Sequence, residues 1–206
     1  MELDPSSLRR AVSHLRRADP VMAQIVDRVG PCRLTVYRDP HFPHLVSTIC
    51  YQQLAGAAAA AIHGRLVGLC GGAPRPTHIL GQTDARLRAV GLSRQKIGYL
   101  RDLAAKVRDG LPLQRLSSLS EESVIETLTS VKGIGRWTAE MYLMFRLGRR
   151  DILPVDDYGI RKAMQKAWRK RALPKPDWMR KTAEPWRPWR TVGCWYLWQS
   201  VDQKEG

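Results

Sequence analysis

Hydrophobic and polar positions follow a helical period along nearly the whole chain. In the segment after Ser93, for example, apolar residues recur every three or four positions from Ile97 to Val107, as on one face of a helix. Alternating strand patterns are nearly absent, and the run RLTVY at 33–37 fits either a short strand or an extended connection. The pattern predicts an all-α protein, with helices beginning near residues 7, 20, 45, 57, 84, 94, 121, 136, 157 and 188.

The charge of the chain narrows the choice of partners. Its 206 residues include 34 Lys and Arg against 19 Asp and Glu, a formal net charge of +15. This excess favours a polyanionic partner, and nucleic acid is the first candidate. A hydrophobic content of 44% is too high for a disordered basic tail, the apolar runs are too short for a membrane span, and the N-terminus lacks the apolar core of a signal peptide. We therefore expect a globular cytoplasmic protein, associated with the nucleoid and not with a membrane.

Tryptophan and basic residues concentrate in the second half of the chain. All seven tryptophans lie at or after Trp137, and eleven basic residues fall between Arg161 and Arg190. Core packing of the indoles and a solvated charged face are the simpler interpretations. Together the concentration of tryptophan and that of basic residues favour a DNA-facing and ligand-facing surface in this half.

The four cysteines (Cys32, Cys50, Cys70 and Cys194) form no CxxC pair and give no support to a zinc or iron–sulfur centre.

A Gly-x-Gly turn between two helical segments is the strongest local signal. In LTSVKGIGRWTA, at 128–139, one helix ends and another begins at once. The turn offers backbone N–H groups and the positive end of a helix dipole to a phosphate oxygen. An ordinary turn with a glycine C-cap has the same outline, but the flanking apolar residues and the net charge favour a helix-hairpin-helix. The predicted phosphate-binding residues are Lys132, Gly133, Ile134, Gly135, Arg136 and Thr138.

The segment VKGIGRWTAEMYL, followed by ILPVDDYGIRKAM, resembles the helix-hairpin-helix DNA glycosylase superfamily, in its DNA-3-methyladenine glycosylase II branch. The pieces ICYQQLAGAAAAAIHGRL, GLSRQKIGYLRDLA and WRPWRTVGCWYLW extend the resemblance from about Pro40 to the end. Residues 1–39 are too few for the β-rich N-terminal domain of longer members. The resemblance implies a two-lobed all-α fold with the DNA cleft between the lobes. One lobe is 38–145, including the hairpin, and the other combines 1–37 with 146–206.

The resemblance also implies a catalytic aspartate, which corresponds to Asp157. Chemistry supports a carboxylate there, because cleavage of an N-glycosidic bond builds positive charge on the deoxyribose and a fixed anion stabilises that charge. A carboxylate that opens a helix is otherwise an N-cap. We expect Asp156 to cap the helix while Asp157 faces the cleft.

Family members with an additional lyase activity carry a nucleophilic lysine, which in one pattern occupies the place of Trp137. Tryptophan cannot form a Schiff base, so the resemblance implies a monofunctional enzyme. The four-cysteine loop of the endonuclease III branch is missing as well. We expect no cofactor in catalysis and no iron–sulfur cluster, while the resemblance allows a monovalent cation at the hairpin carbonyls.

The resemblance implies an aromatic base pocket and a side chain that fills the gap left by a flipped base. Alkylated purines carry positive charge, which an electron-rich indole face attracts. The implied pocket residues are Trp137, Met141, Tyr158, Trp198 and Gln52. The implied wedge is Gln53 or Leu54, although Gln53 fits equally well as a residue that merely ends a helix at the surface.

The function implied is base-excision repair of double-stranded DNA by a monomer that releases alkylated purines such as 3-methyladenine and 7-methylguanine. Two alternatives stay open. One is a helix-hairpin-helix module that binds DNA without catalysis, which would need neither Asp157 nor the aromatic pocket. The other is a glycosylase for other lesions, such as hypoxanthine, ethenoadenine or 1-methyladenine.

Overall fold

The computed structural model describes residues 3–202, and within them all regular secondary structure is helical, with no strand. The all-α prediction is confirmed. The segment 33–37 is an extended connection. Two short 3-10 helices, Leu113–Ser118 and Glu184–Trp186, accompany the α-helices. These are α1 (Pro5–Ala18), α2 (Pro20–Val29), α3 (His41–Tyr51), α4 (Gly56–Leu69), α5 (Pro76–Leu80), α6 (Asp84–Ala89), α7 (Arg94–Arg108), α8 (Glu121–Thr129), α9 (Arg136–Phe145), α10 (Tyr158–Ala167), α11 (Pro176–Thr182) and α12 (Arg190–Asp202).

Side-chain caps fix where several helices begin. The predicted caps Asp19, Ser93 and Ser120 accept hydrogen bonds from backbone N–H groups in the first turns of α2, α7 and α8. In α1 the cap is Asp4, whose carboxylate accepts the N–H of Ser7 while the Ser7 hydroxyl accepts the N–H of Asp4. A serine was expected to cap this helix, and Ser7 instead completes a reciprocal capping box at its third position.

One compact unit combines the terminal segments, 3–37 and 140–202. Here α12 packs against α2 and α10, and α1 packs against α2. The Trp186 indole donates to Asp19, so the α2 cap also satisfies a buried N–H group. The largest fully buried side chains of this unit are Trp186, Tyr196, Leu15 and Met22.

A second compact unit spans residues 38–139. Helix α7 is its central element and packs against α3, α5 and α6. The apolar stripe that predicts α7 is the face that makes these contacts, since Ile97, Leu100 and Ala104 are all buried. The fully buried side chains of this unit include Leu45, Ile49, Leu66, Ile79, Leu87, Leu100, Leu103 and Leu116.

The second half of α9 packs with the terminal segments. The prediction assigns 140–145 to the central lobe. In the structure, the Phe145 carbonyl accepts the N–H of Tyr37, and the Phe145 ring lies 5.8 Å from that of Trp198, measured between centroids.

Residues 1–2 and 203–206, which the prediction includes in the terminal lobe, lie outside the described residues. Within 3–202, no helix is both long and apolar enough to cross a bilayer.

Candidate active site and nucleic-acid interface

Asp157 is a buried carboxylate at the start of α10. Its side chain is 7% exposed, and its Oδ1 accepts the backbone N–H of Ile160 at 2.7 Å, which makes Asp157 itself the N-cap. The expectation that Asp156 caps this helix is therefore wrong, and Asp156 is exposed. The cap fits Asp157 because its φ of −66° and ψ of 119° leave the helical region while α10 begins one residue later.

Trp198 holds the same oxygen from another helix. Its indole Nε1–H donates to Asp157 Oδ1 at 2.9 Å. Two donors on one oxygen, from Ile160 and Trp198, fix the rotation of the carboxylate. The sequence places Trp198 in a base pocket, and the structure adds a contact that the sequence did not indicate: the indole N–H orients the candidate catalytic group.

Gly159 makes room for this pair. A Cβ atom at this position would lie 3.0 Å from Trp198 Cδ1 and 3.2 Å from Asp157 Oδ1, closer than ordinary van der Waals contact. A side chain at 159 would therefore displace the indole or the carboxylate. Its position two residues after Asp157 is the one feature of the sequence that points to this glycine, and we did not predict its role from it.

The loop before Asp157 is anchored to the start of α12. Arg190 clamps the Asp151 carboxylate with Nε to Oδ1 at 2.7 Å and Nη2 to Oδ2 at 3.0 Å, and both side chains are largely buried. The Thr191 hydroxyl accepts the N–H of Ile152 and donates to the carbonyl of Arg149. The helix that supplies Trp198 therefore also fixes the chain five to eight residues before Asp157.

Two of the aromatic side chains predicted for the base pocket are exposed. Trp137 has 49% of its surface accessible, and Tyr158 has 63%. Met141 lies one turn after Trp137 on α9, so both project from the same face of that helix, and Met141 is half-buried. Lys162 lies over the Tyr158 ring at 5.8 Å. Exposed flat rings of this kind suit stacking on a base, and their pocket roles stay predictions.

The hairpin joins α8 to α9 within the second unit, and its two glycines differ in what the protein requires of them. Gly133 has a φ of +82°, and a Cβ atom there would lie 2.2 Å from Tyr99 Cδ2. Both the backbone and the packing therefore demand glycine. At Gly135 a Cβ atom would meet no atom within 4 Å, and φ is not positive. The fold does not require this glycine, so a close approach by a ligand is the better reason for it.

The backbone amides of the hairpin are not equally available. The N–H of Lys132 donates to Asp102 Oδ2 at 2.8 Å, and that of Ile134 donates to the Val131 carbonyl at 3.1 Å. These two amides, which we predicted as phosphate donors, are committed to the protein. Among residues 3–202, no acceptor bonds the N–H groups of Gly133 and Gly135, and these two remain for a phosphate.

The predicted side-chain donors of the hairpin also differ. Lys132 is exposed. Arg136 forms a two-pronged ion pair with Glu122, at 2.7 and 3.0 Å, on the surface, so a phosphate would compete with this carboxylate. Thr138 is only 7% exposed, so its side chain packs inside the protein. Lys132 is therefore the more accessible of these donors for a phosphate.

The segment after α3 contains the predicted wedge. Gln53 and Leu54 are both exposed, and Gln53 adopts a left-handed conformation with φ of +57°. The Gln52 amide donates to the Gly133 carbonyl at 2.8 Å. This contact ties the wedge segment to the hairpin, whereas the sequence assigns the Gln52 side chain to the base pocket.

A hairpin with open amides and a helix that begins on a buried, oriented aspartate are together characteristic of a DNA glycosylase. The chain belongs to the HhH-GPD superfamily of base excision DNA repair proteins, whose family model matches residues 46–188.

Individual relatives place it within that family. DNA-3-methyladenine glycosylase 1 of Schizosaccharomyces pombe is 36% identical over 202 residues, 95% of this chain and 88% of that protein. A DNA-3-methyladenine glycosidase from Bacillus halodurans has a structure with a TM-score of 0.83 and 36% identity, covering 93% of this chain and 88% of the other. The structure of an S. pombe 3-methyladenine DNA glycosylase in complex with abasic DNA has a TM-score of 0.80 and 35% identity, covering 94% and 97%. The predicted superfamily and its 3-methyladenine branch are confirmed.

Proposed function

We propose that this protein is a monofunctional DNA glycosylase that releases alkylated purines, of the 3-methyladenine and 7-methylguanine type, by hydrolysing the N-glycosidic bond. The observation that carries the proposal is the Asp157 carboxylate, which is buried and held by two donors on one oxygen. Capping α10 requires only the bond from Ile160, and the added indole donor of Trp198 fixes the carboxylate beyond what a cap needs, which favours a catalytic role over a module that only binds DNA.

The chemistry asked of Asp157 is electrostatic. As the base leaves, positive charge develops on the deoxyribose ring, and a carboxylate held beside the sugar stabilises that charge without having to reorient. Since Trp198 and Ile160 fix Oδ1, the carboxylate is preorganised before substrate arrives. It also orients a water molecule for attack on the sugar carbon. Water supplies the oxygen of the new C–O bond and releases its proton to solvent, while the methylated base takes the bonding electron pair and departs as a neutral molecule.

The substrate range follows from charge and stacking. A 3-methyl or 7-methyl purine carries positive charge while its glycosidic bond is intact, so it is already a good leaving group. Exposed rings such as Trp137 and Tyr158 bind such a base by stacking and cation–π attraction, with few specific hydrogen bonds. A neutral lesion such as hypoxanthine would gain less from these rings.

The DNA duplex is held through phosphates. The Gly133 and Gly135 amides, with the exposed Lys132, form a contact that carries no sequence information. We also propose that the protein acts on nucleoid DNA in the cytoplasm as a monomer, without a catalytic cofactor. A monovalent cation at the hairpin stays a prediction.

The absence of lyase activity is part of the proposal. An indole stands at position 137, where some family members carry the lysine that attacks the sugar. Without an amine at this position no Schiff base forms there, and the product is an intact abasic site.

The test is to incubate the protein with DNA methylated by an alkylating agent and to identify the released bases by chromatography. We expect 3-methyladenine and 7-methylguanine. Tight binding to the same DNA with no released base would favour the non-catalytic module. Release of hypoxanthine or ethenoadenine, with methylated purines left in place, would show that the enzyme acts on a different class of lesion.

A further inference from the structure

Lys96, on α7, closes the end of α3. Its ammonium group donates to the carbonyl of Cys50 at 2.6 Å and to the carbonyl of Gln52 at 2.8 Å. The last carbonyls of a helix have no partner within the helix, and a lysine that bonds them also interacts favourably with the negative end of the helix dipole. Burial lowers the pKa of Lys96, as expected for an ammonium withdrawn from water toward these carbonyls.

The two carbonyls belong to residues one and three positions before Gln53, which has the unusual backbone conformation of this segment. A φ of +57° is unusual for a residue with a side chain and persists only where neighbouring contacts impose it. The contacts here are the Lys96 bonds and the Gln52 amide bound to the Gly133 carbonyl. Beyond them the chain is open, and residues 53–58 are all exposed.

The same face of α7 supports the hairpin. Tyr99 and Asp102 follow Lys96 at intervals of three residues, which places all three on neighbouring turns. The Tyr99 ring packs on Gly133, and the Asp102 carboxylate accepts the N–H of Lys132. Although partial burial opposes the change, the hydrogen bonds from Lys106 and Lys132 lower the pKa of Asp102, so this anchor is ionised at neutral pH.

We propose that Lys96 is a positioning residue for base flipping, which sets the turn at Gln53 in a fixed place relative to the DNA-binding hairpin. Helix α7 then supports both the turn at Gln53 and the hairpin that binds the DNA phosphates. The inference rests on the proposed function, since it assigns a use to the Gln53 turn only if the enzyme extrudes a base. Lys96 does not touch the reacting atoms and acts through the backbone of residues 50–53.

The role has a specific consequence. Extruding a base costs the pairing and stacking energy of that base, and the cost is least for a mismatched base. A wedge held loosely therefore slows the release of a well-paired lesion much more than the release of a lesion in a mismatch. A defect in the chemical step, or a loss of folded protein, lowers both rates in the same proportion.

The experiment compares single-turnover release of 7-methylguanine placed opposite cytosine with release from a mismatched duplex. We expect Lys96→Met to slow the paired lesion about tenfold and the mismatched lesion less than about threefold, because the unpairing cost differs between them. Lys96→Arg, which keeps a charged donor, should restore part of the difference. The matched control is Arg94→Met, which removes an exposed charge from the same helix and should leave both rates unchanged.

The ratio of the two rates is measured on one protein preparation, so a smaller folded fraction does not alter it. A Lys96→Met enzyme with the wild-type ratio would overturn the role of Lys96. Affinity gives a second readout that needs no chemistry: Lys96→Met should reduce the preference for a duplex with an abasic-site analogue over an intact duplex, and an unchanged preference would likewise contradict it. If the wild-type protein releases no methylated base, the proposed function fails, and the abasic-site preference still decides whether Lys96 positions the wedge.

Discussion

Trp198 donates its indole N–H to Oδ1 of Asp157, an oxygen that also caps α10 through the N–H of Ile160. A helix cap and a candidate catalytic carboxylate are thus the same group. The activity of a variant at position 157 therefore measures the catalytic role only if the new side chain still caps α10. A variant that loses the cap would combine a catalytic defect with a loss of stability.

Asp157→Asn is the informative change at this position. Asparagine caps helices as well as aspartate does, and its amide oxygen can take the place of Oδ1 and keep both donors. What is lost is the negative charge beside the sugar, so single-turnover release of 7-methylguanine should fall on the order of 10²–10³-fold. Binding to an abasic-site analogue should hold or rise, because an anion near the phosphates is gone.

The matched control is Asp156→Asn, which removes one exposed carboxylate from the neighbouring position. It should excise at close to the wild-type rate, with a melting temperature within experimental error of the parent, since this residue does not cap α10. If Asp156→Asn were the inactive variant, the catalytic assignment would belong to the other aspartate.

Trp198→Phe tests the orienting bond. The change keeps an aromatic ring beside Phe145 but removes the indole N–H that donates to Asp157 Oδ1. A hydrogen bond to a charged group contributes about 1.5 kcal/mol, which corresponds to roughly a tenfold fall in excision rate. In the Asp157→Asn background the same change should cost much less, because the charge that it orients is absent. Equal losses in the two backgrounds would mean that Trp198 acts on the base alone.

The two hairpin glycines should separate folding from DNA binding. Gly133→Ala forces a Cβ atom onto the Tyr99 ring at a positive φ and should lower the free energy of unfolding by about 2 kcal/mol or more. Gly135→Ala meets open space and should change stability by less than about 0.5 kcal/mol. It should nevertheless weaken binding to intact duplex roughly tenfold, because the added methyl group keeps a phosphate away from the N–H of residue 135 and so costs about one charge-assisted hydrogen bond. Denaturant titration and duplex affinity of both variants check this, and a Gly135→Ala protein with full affinity would show that no ligand approaches this position closely enough to require glycine.

Lys132→Met should change the salt dependence of DNA binding. Each phosphate contact by a cation adds about 0.9 to the slope of log K against log salt concentration, so the variant should lose about that amount. The loss should be the same for damaged and undamaged duplexes, because a phosphate contact carries no sequence information. An unchanged slope would show that Lys132 stays solvated in the complex.

Borohydride reduction checks the absence of lyase chemistry. With an indole at position 137, no covalent protein–DNA adduct should be trapped while the enzyme turns over methylated DNA. The Trp137→Lys variant provides the comparison, because it supplies an amine at that position. Trapping of the wild-type protein at the rate of base release would contradict the monofunctional proposal.

The helices were predictable because their information is local. Periodic apolar stripes and caps such as Asp19 and Ser93 act within one or two turns of chain, and the structure confirms both. The short helices α5 and α11 were missed, because five to seven residues give little periodicity and neither helix begins with a side-chain cap. Helix α6 is equally short but was predicted, because Thr83 caps it.

The residues of the site were predictable in identity but less so in their contacts. Resemblance singles out Asp157 and the hairpin, yet the bond from Trp198 spans 41 positions and that from Gln52 to Gly133 spans 81. The spacing of residues along the sequence does not indicate either contact, because each forms only when separate segments pack together. For the same reason a run of two aspartates could not show which one caps α10.

Arg190 and Thr191 bond residues 149–152, so we expect α12 and the loop before Asp157 to unfold together. Local opening in proteins proceeds by contiguous units, and α12 shares one such unit with the loop that leads to Asp157. When α12 detaches as a whole, the loop loses its anchor and the carboxylate loses its indole donor in the same event. Activity is then lost at the free energy of this partial opening, before the core of residues 38–139 has to unfold.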